Sequence, residues 1–212
     1  MSEPAGPTTR AFLAVPADPG WSAAAAELSA SLRAGSPPAS WTRPEAWHLT
    51  VKFLGDTPGE ALEGFRRAIE AAAGGLSGGG LRSSGPVVFP PSGPPRVLGL
   101  GFAPSPGLDA LRALAEAAED AARRLGLPRE DRPYHPHVTL ARLKTRWPRE
   151  AVETFREAAR RSAPTFPEWP VRSCVLYASR LDRRGAVHTP LGIWTLGTAA
   201  RFPASAGSGA SA

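Results

Sequence analysis

The chain has 212 residues, 42% of them hydrophobic, enough for one substantial domain or two small, tightly fused lobes. Its net charge of +6 is carried almost wholly by arginine, which favours phosphorylated or polyanionic partners but also follows from a composition biased toward Arg, Ala, Gly and Pro. One cysteine, Cys174, excludes an intramolecular disulfide framework and a cysteine-rich zinc site, and no apolar run reaches the length of a membrane span.

Residues 1–9 read as a Pro/Thr-rich tail without the apolar core of a signal peptide, and residues 203–212 as a second low-complexity tail. A single domain is expected over 10–202, in a monomeric cytoplasmic protein. Ala11 to Val15 reads as a first strand stopped by Pro16. Asp18 is placed to cap an Ala-rich helix running to Leu32. A short strand at Trp41-Thr42 precedes a longer one, Trp47 to Leu54. A second helix covers about Gly59 to Ala73, with Leu62, Phe65 and Ile69 on one stripe, and the Gly-rich Gly74 to Gly80 ends it.

The middle of the chain reads as a strand at Pro86 to Phe89, a Pro/Gly loop from Pro90 to Pro95, and a strand from Val97 to Phe102. A third helix follows over about Gly107 to Leu125, ended by Gly126 and Pro128. A strand is expected at His137 to Leu143 and a fourth helix at Arg149 to Arg161. Late strands at Val171 to Leu181 and Val187 to Trp194 flank the hairpin-like Asp182-Arg183-Arg184-Gly185. Several neighbouring strands have connections too short for helical crossovers, so the order predicts an α+β fold with mainly antiparallel sheets. Cys174, in the apolar run to Tyr177, is expected to be a buried, inert thiol.

One pattern occurs twice, as His48-Leu49-Thr50-Val51 and as His137-Val138-Thr139-Leu140. In a strand, residues i and i+2 share a face, so each His stands beside its Thr while the apolar residues between turn to the core. Imidazole titrates near neutral pH, so one ring can accept a proton while the other donates one. Two such rings on opposite sides of a phosphodiester supply the base and the acid of its hydrolysis without a metal. Thr50 and Thr139 can donate to the non-bridging oxygens, and Arg142, five positions after His137, adds a cationic fork. A lone His-x-Thr is ordinary strand sequence; the duplication gives it weight.

The segments Trp47 to Gly55 (WHLTVKFLG) and Arg132 to Arg142 (RPYHPHVTLAR) resemble the paired signatures of the 2H phosphoesterase superfamily. In particular they resemble its RNA 2′,3′-cyclic phosphodiesterase branch, the LigT-like family historically named 2′-5′ RNA ligase. Arg10 to Val15 and Leu176 to Leu181 are similar to that family's first strand and its late Tyr-x-Ser-x-Leu strand, so the resemblance covers about residues 10–197. It implies a bilobal, pseudo-symmetric fold whose two mainly antiparallel sheets face a central cleft, with helices outside. It implies opening of terminal 2′,3′-cyclic phosphates on RNA to 2′-phosphates without metal or cofactor, with reversible 2′-5′ ligation as a side activity. By the same resemblance His48 is the proton donor and His137 the acceptor, an ordering the symmetric motif itself leaves open. Arg142 matches a substrate-contacting Arg, and Phe53 an aromatic position near the nucleobase, where a core Phe is the alternative.

His135 and His137 could share a face and suggest a metal site with His48, but no Asp or Glu accompanies them, so no metal is expected. His188 reads as a surface or packing residue, Trp47 as core, and Tyr134 as either a cleft edge or a turn-packing side chain. Arg180, Arg183 and Arg184 could attract RNA, although a solvated hairpin is the simpler reading. The alternatives to RNA ends are a small cyclic nucleotide or other phosphodiester as substrate, and a non-catalytic RNA-binding module.

Overall fold

The computed structural model describes residues 7–162, 165–182 and 185–197. Two sheets divide the strands. The first has the order β3-β1-β8-β9, and the second β2-β6-β5-β4-β7. Their strands are β1 (Thr8–Pro16), β2 (Ser40–Trp41), β3 (His48–Pro58), β4 (Gly79–Phe89), β5 (Val97–Ala103), β6 (His137–Arg142), β7 (Trp169–Val171), β8 (Ser173–Asp182) and β9 (Gly185–Thr195). Every pairing between these strands is antiparallel, and the short connections require this of β4–β5 and β8–β9.

Four helices connect them: α1 (Pro19–Gly35), α2 (Gly59–Ala73), α3 (Pro106–Arg124) and α4 (Arg149–Ser162). Asp18 caps α1 as expected, accepting from Gly20 N at 2.9 Å and Trp21 N at 3.1 Å. The alternating residues of the central strands sort cleanly. Leu13, Val15, Leu49, Leu100, Val138 and Leu140 enter one continuous core with Phe65, Ile69, Leu111, Leu114 and Phe155 of the helices. Phe12, Ala14 and Val175 are buried yet outside that core, because they lie on the opposite face of the first sheet. Cys174 is fully buried, and burial pushes its thiol up to about 12, the inert state expected.

Several boundaries differ from the sequence reading. Thr8 and Thr9, read as tail, pair with Pro58 and Thr57. The polar, Gly-rich stretch from Gly79 belongs to β4, because β5 and β7 pair with its two sides. A single late strand becomes two at Arg172: Val171 pairs in the second sheet and Ser173 in the first, so the chain crosses between sheets there. The hairpin tip Arg183-Arg184 and the remaining parts of both tails lie outside the described residues.

One buried charge ties the first motif strand to α3. Lys52 is 5% exposed, its Nζ 2.7 Å from Glu119 Oε2 and donating to the Pro128 carbonyl at 2.9 Å. Glu119→Gln strands this ammonium, and a loss of about 1–3 kcal/mol of unfolding free energy is expected, reduced from a fully buried pair because Glu119 is one-third exposed. Urea denaturation checks this, and Lys52→Met with Glu119→Leu should recover most of the loss. A double variant as unstable as Glu119→Gln would contradict the desolvation argument.

Candidate active site

Phe53 and Arg142 each follow a motif histidine by five residues, an odd spacing that puts them on the opposite face of a regular strand. The strands are not regular there. Ala14 opposes Thr50 and Leu13 opposes Lys52, which leaves Val51 as an extra residue in β3. Gly99 opposes Thr139 and Leu98 opposes Ala141, which leaves Leu140 as the extra residue in β6. Both motifs therefore carry a one-residue bulge at their fourth position, and a bulge resets the alternation. Val51 and Lys52 are both buried, as are Leu140 and Ala141, while Phe53 (59% exposed) and Arg142 return to the histidine face. Glycine is required at position 99 beside the second bulge, since a Cβ there would lie 2.6 Å from the Val138 carbonyl oxygen.

The histidines are anchored alike. His48 Nδ1 lies 2.8 Å from the Ala46 carbonyl oxygen, and His137 Nδ1 lies 2.7 Å from that of His135. A carbonyl only accepts, so Nδ1 carries the proton in each ring and donates to the residue two positions back. That leaves Nε2 of each ring free for chemistry: a lone pair when neutral, a donor when protonated. Both rings, Thr50 and Thr139 are half-buried, and Arg142 is exposed.

Burial dominates the electrostatics. It holds His48 down to about 4, with further depression from positive charge at His188, Arg142 and His137, opposed by the Ala46 hydrogen bond. His137 is lowered chiefly by burial as well, with Arg142 and His135 adding to the effect. Arg142 thus acts on both rings, although it belongs to the same strand as only one. Two neutral imidazoles beside an exposed guanidinium form a site that gains from the arrival of an anion.

An aromatic floor surrounds His48. The Phe12 ring lies 5.0 Å from His48, 5.9 Å from Phe53, 5.4 Å from Tyr177 and 4.9 Å from His188. His188, read as a surface or packing residue, does pack, but it stands 5.5 Å from the His48 ring and so borders the site. The hairpin register fixes only its partner, Ser179, in the strand of Tyr177; the approach to His48 across β8 and β1 has no local signal. On the second sheet Phe89 lies 4.6 Å from the His137 ring. Tyr134 joins the two motifs, its hydroxyl donating to the Thr50 carbonyl at 3.1 Å, and burial raises its phenol further. Trp47 is core, as expected. Among the described residues no group of three His, Cys, Asp or Glu side chains is placed to hold a metal ion. Nor is any helix among them long and apolar enough to cross a membrane.

Comparison with known proteins places this geometry in context. The sequence model of the LigT-like phosphoesterases matches residues 15–98 and 102–188. An RNA 2′,3′-cyclic phosphodiesterase of Geobacillus stearothermophilus is 29% identical over 173 residues, 81% of this chain and 52% of the relative, so the match spans about half of that protein's length. One from Thermus thermophilus is 34% identical over 154 residues, 70% of this chain and 71% of the relative. Among solved structures, the protein TT0787 of Thermus thermophilus superposes with a TM-score of 0.71 at 28% identity, covering 89% of this chain and 98% of that one. E. coli LigT complexed with 3′-AMP gives a TM-score of 0.67 at 26% identity over 89% and 98% of the two chains.

The depressed His48 makes a directional prediction. Unfolded imidazole titrates near 6.5 and the folded ring near 4, so the unfolded chain binds more protons between these values. This group therefore removes stability as pH falls from 6.5 toward 4, and nothing further below that. NMR titration should place the His48 midpoint near 4 in the free protein, and inorganic phosphate should raise it. A free-protein midpoint at 6.5 or above would contradict the burial argument.

Proposed function

The chain belongs to the LigT-like phosphoesterase family, and from that premise we propose that it hydrolyses terminal 2′,3′-cyclic phosphates of RNA to 2′-phosphates by a metal-independent two-histidine mechanism. The observation that carries the reading is the matched pair of imidazoles, each fixed through Nδ1 and each on a bulged strand of a different sheet. The similarity to RNA 2′,3′-cyclic phosphodiesterases supports the substrate class.

In this reading His137 Nε2 takes a proton from water as its oxygen attacks phosphorus. The P–O3′ bond breaks in line, and protonated His48 gives its Nε2 proton to O3′. The free rings are largely neutral, so His48 takes up its proton as the anionic phosphate enters and offsets the cost of burying charge. Thr50 and Thr139 donate to the non-bridging oxygens, and Arg142 holds the phosphate with a guanidinium fork. The exposed Phe53 ring, on the His48 side, stacks the terminal base. The proton left on His137 returns to His48 through solvent, closing the cycle. A 5′-hydroxyl in place of water would give a 2′-5′ linkage by the same steps, which accounts for ligation as a side activity. The enzyme would act in the cytoplasm, as a monomer, on RNA ends.

The test offers an oligoribonucleotide ending in a 2′,3′-cyclic phosphate, with chelator present, and maps the product. A 2′-phosphate is expected, and His48→Ala and His137→Ala should each lose about 10²–10⁴-fold or more in kcat. Undiminished turnover in either variant would sink the mechanism. A strict need for added divalent metal would revive a metal-assisted route, and RNA binding without turnover would favour a non-catalytic module.

A further inference from the structure

A concave groove of about 630 Å³ opens beside the second motif. Its wall includes Arg112 of α3, Arg156 and Arg160 of α4, and Phe89, Tyr134 and His135 next to the motif strand. Every charged side chain among the described residues that line it is an arginine, and no carboxylate faces it. Arg156 and Arg160 are one helical turn apart, so their side chains share a face. Arg112 and Arg156 each have an acidic neighbour on their own helix, Asp109 at 3.8 Å and Glu153 at 2.6 Å. A guanidinium has five N–H donors, so those contacts leave donors unspent. Arg160 is exposed and has no ion-pair partner among the described residues.

The groove is continuous with the candidate active site. Phe89 lines it and also lies 4.6 Å from the His137 ring, and His135 lines it while its carbonyl anchors His137 Nδ1. Arginines and aromatic rings sharing one concave surface are what a single-stranded nucleic acid needs: cations for the phosphates and faces for the bases.

We propose that this groove binds the nucleotides 5′ to the cyclic phosphate, with Arg112, Arg156 and Arg160 on their backbone phosphates, so that the site selects RNA ends over free cyclic nucleotides. This rests on the RNA-end reading above and narrows it to a strand that enters along the α3/α4 side. Phosphate-contacting arginines give binding that weakens with salt, by roughly 0.7 in log K per log salt for each contact to a single strand.

The experiment compares wild-type protein with Arg112→Gln/Arg160→Gln, two exposed positions whose amides preserve helix propensity. The kcat/KM is measured on a 2′,3′-cyclic mononucleotide and on cyclic-phosphate oligoribonucleotides of increasing length. Fluorescence anisotropy with a 2′-phosphate-ended oligoribonucleotide reads binding without turnover. Wild-type affinity should rise over the first few nucleotides and then level off. The double variant should lose about tenfold or more on oligonucleotides, keep its mononucleotide rate, and show a salt slope smaller by roughly 1.4. An unchanged oligonucleotide affinity, or equal losses on both substrates, would overturn the groove assignment. Length-dependent, arginine-dependent binding without turnover of any substrate would leave the groove standing and sink the catalytic reading instead.

Discussion

The site depends on a proton that never leaves. In both motifs the Nδ1 proton of the histidine is committed to a backbone carbonyl two residues earlier, at 2.8 Å from Ala46 and 2.7 Å from His135. Because that acceptor has no proton of its own to give, the ring is held in one tautomer and one orientation whether neutral or charged. All titration is forced onto Nε2. The same bond opposes the effect of burial on each ring, so it also sets how far from neutral pH the pair is displaced.

The second constraint is the bulge at the fourth position of each motif. It costs a break in the ladder on β3 and β6, and what it gives is a change of face. Without it Phe53 and Arg142 would enter the core, where a guanidinium cannot be accommodated unpaired. With it, the residues that must be buried, Val51 with Lys52 and Leu140 with Ala141, occupy the inner side in succession. The two motifs are structural copies to their sixth residue but diverge chemically at the fifth, Lys52 against Ala141, and at the sixth, an aromatic face against a cation. A hydrogen bond from Tyr134, three residues before the second histidine, to Thr50 in the first motif joins the halves.

Much of this was legible in the sequence because it depends on alternation. The two strands, the shared face of each His and Thr, the buried partners Leu49 and Val138 and the Trp47 core position follow from period-two alternation, and the Asp18 cap from a carboxylate standing just ahead of the helical pattern. Arg142 reads as a cationic fork near the second motif and Phe53 comes from the family resemblance, yet the odd spacing of both points away from the site until the bulges are seen. What stayed hidden depended on pairing between distant strands. His188 reaches His48 only across β1 and β8, through Phe12, and Lys52 finds Glu119 only when α3 packs behind β3. The groove of arginines is likewise assembled from two helices that no local pattern connects.

The central claim is that His48 and His137 act as separate acid and base within one pair, and the pH dependence of kcat/KM in single glutamine variants tests it most directly. Glutamine keeps a polar side chain of similar reach but transfers no proton. Wild-type protein should give a bell-shaped profile. His48→Gln should lose the fall on the alkaline side, where the acid must be protonated, and His137→Gln the fall on the acid side, where the base must be free. Residual activity in either variant that keeps both limbs of the bell would contradict the account.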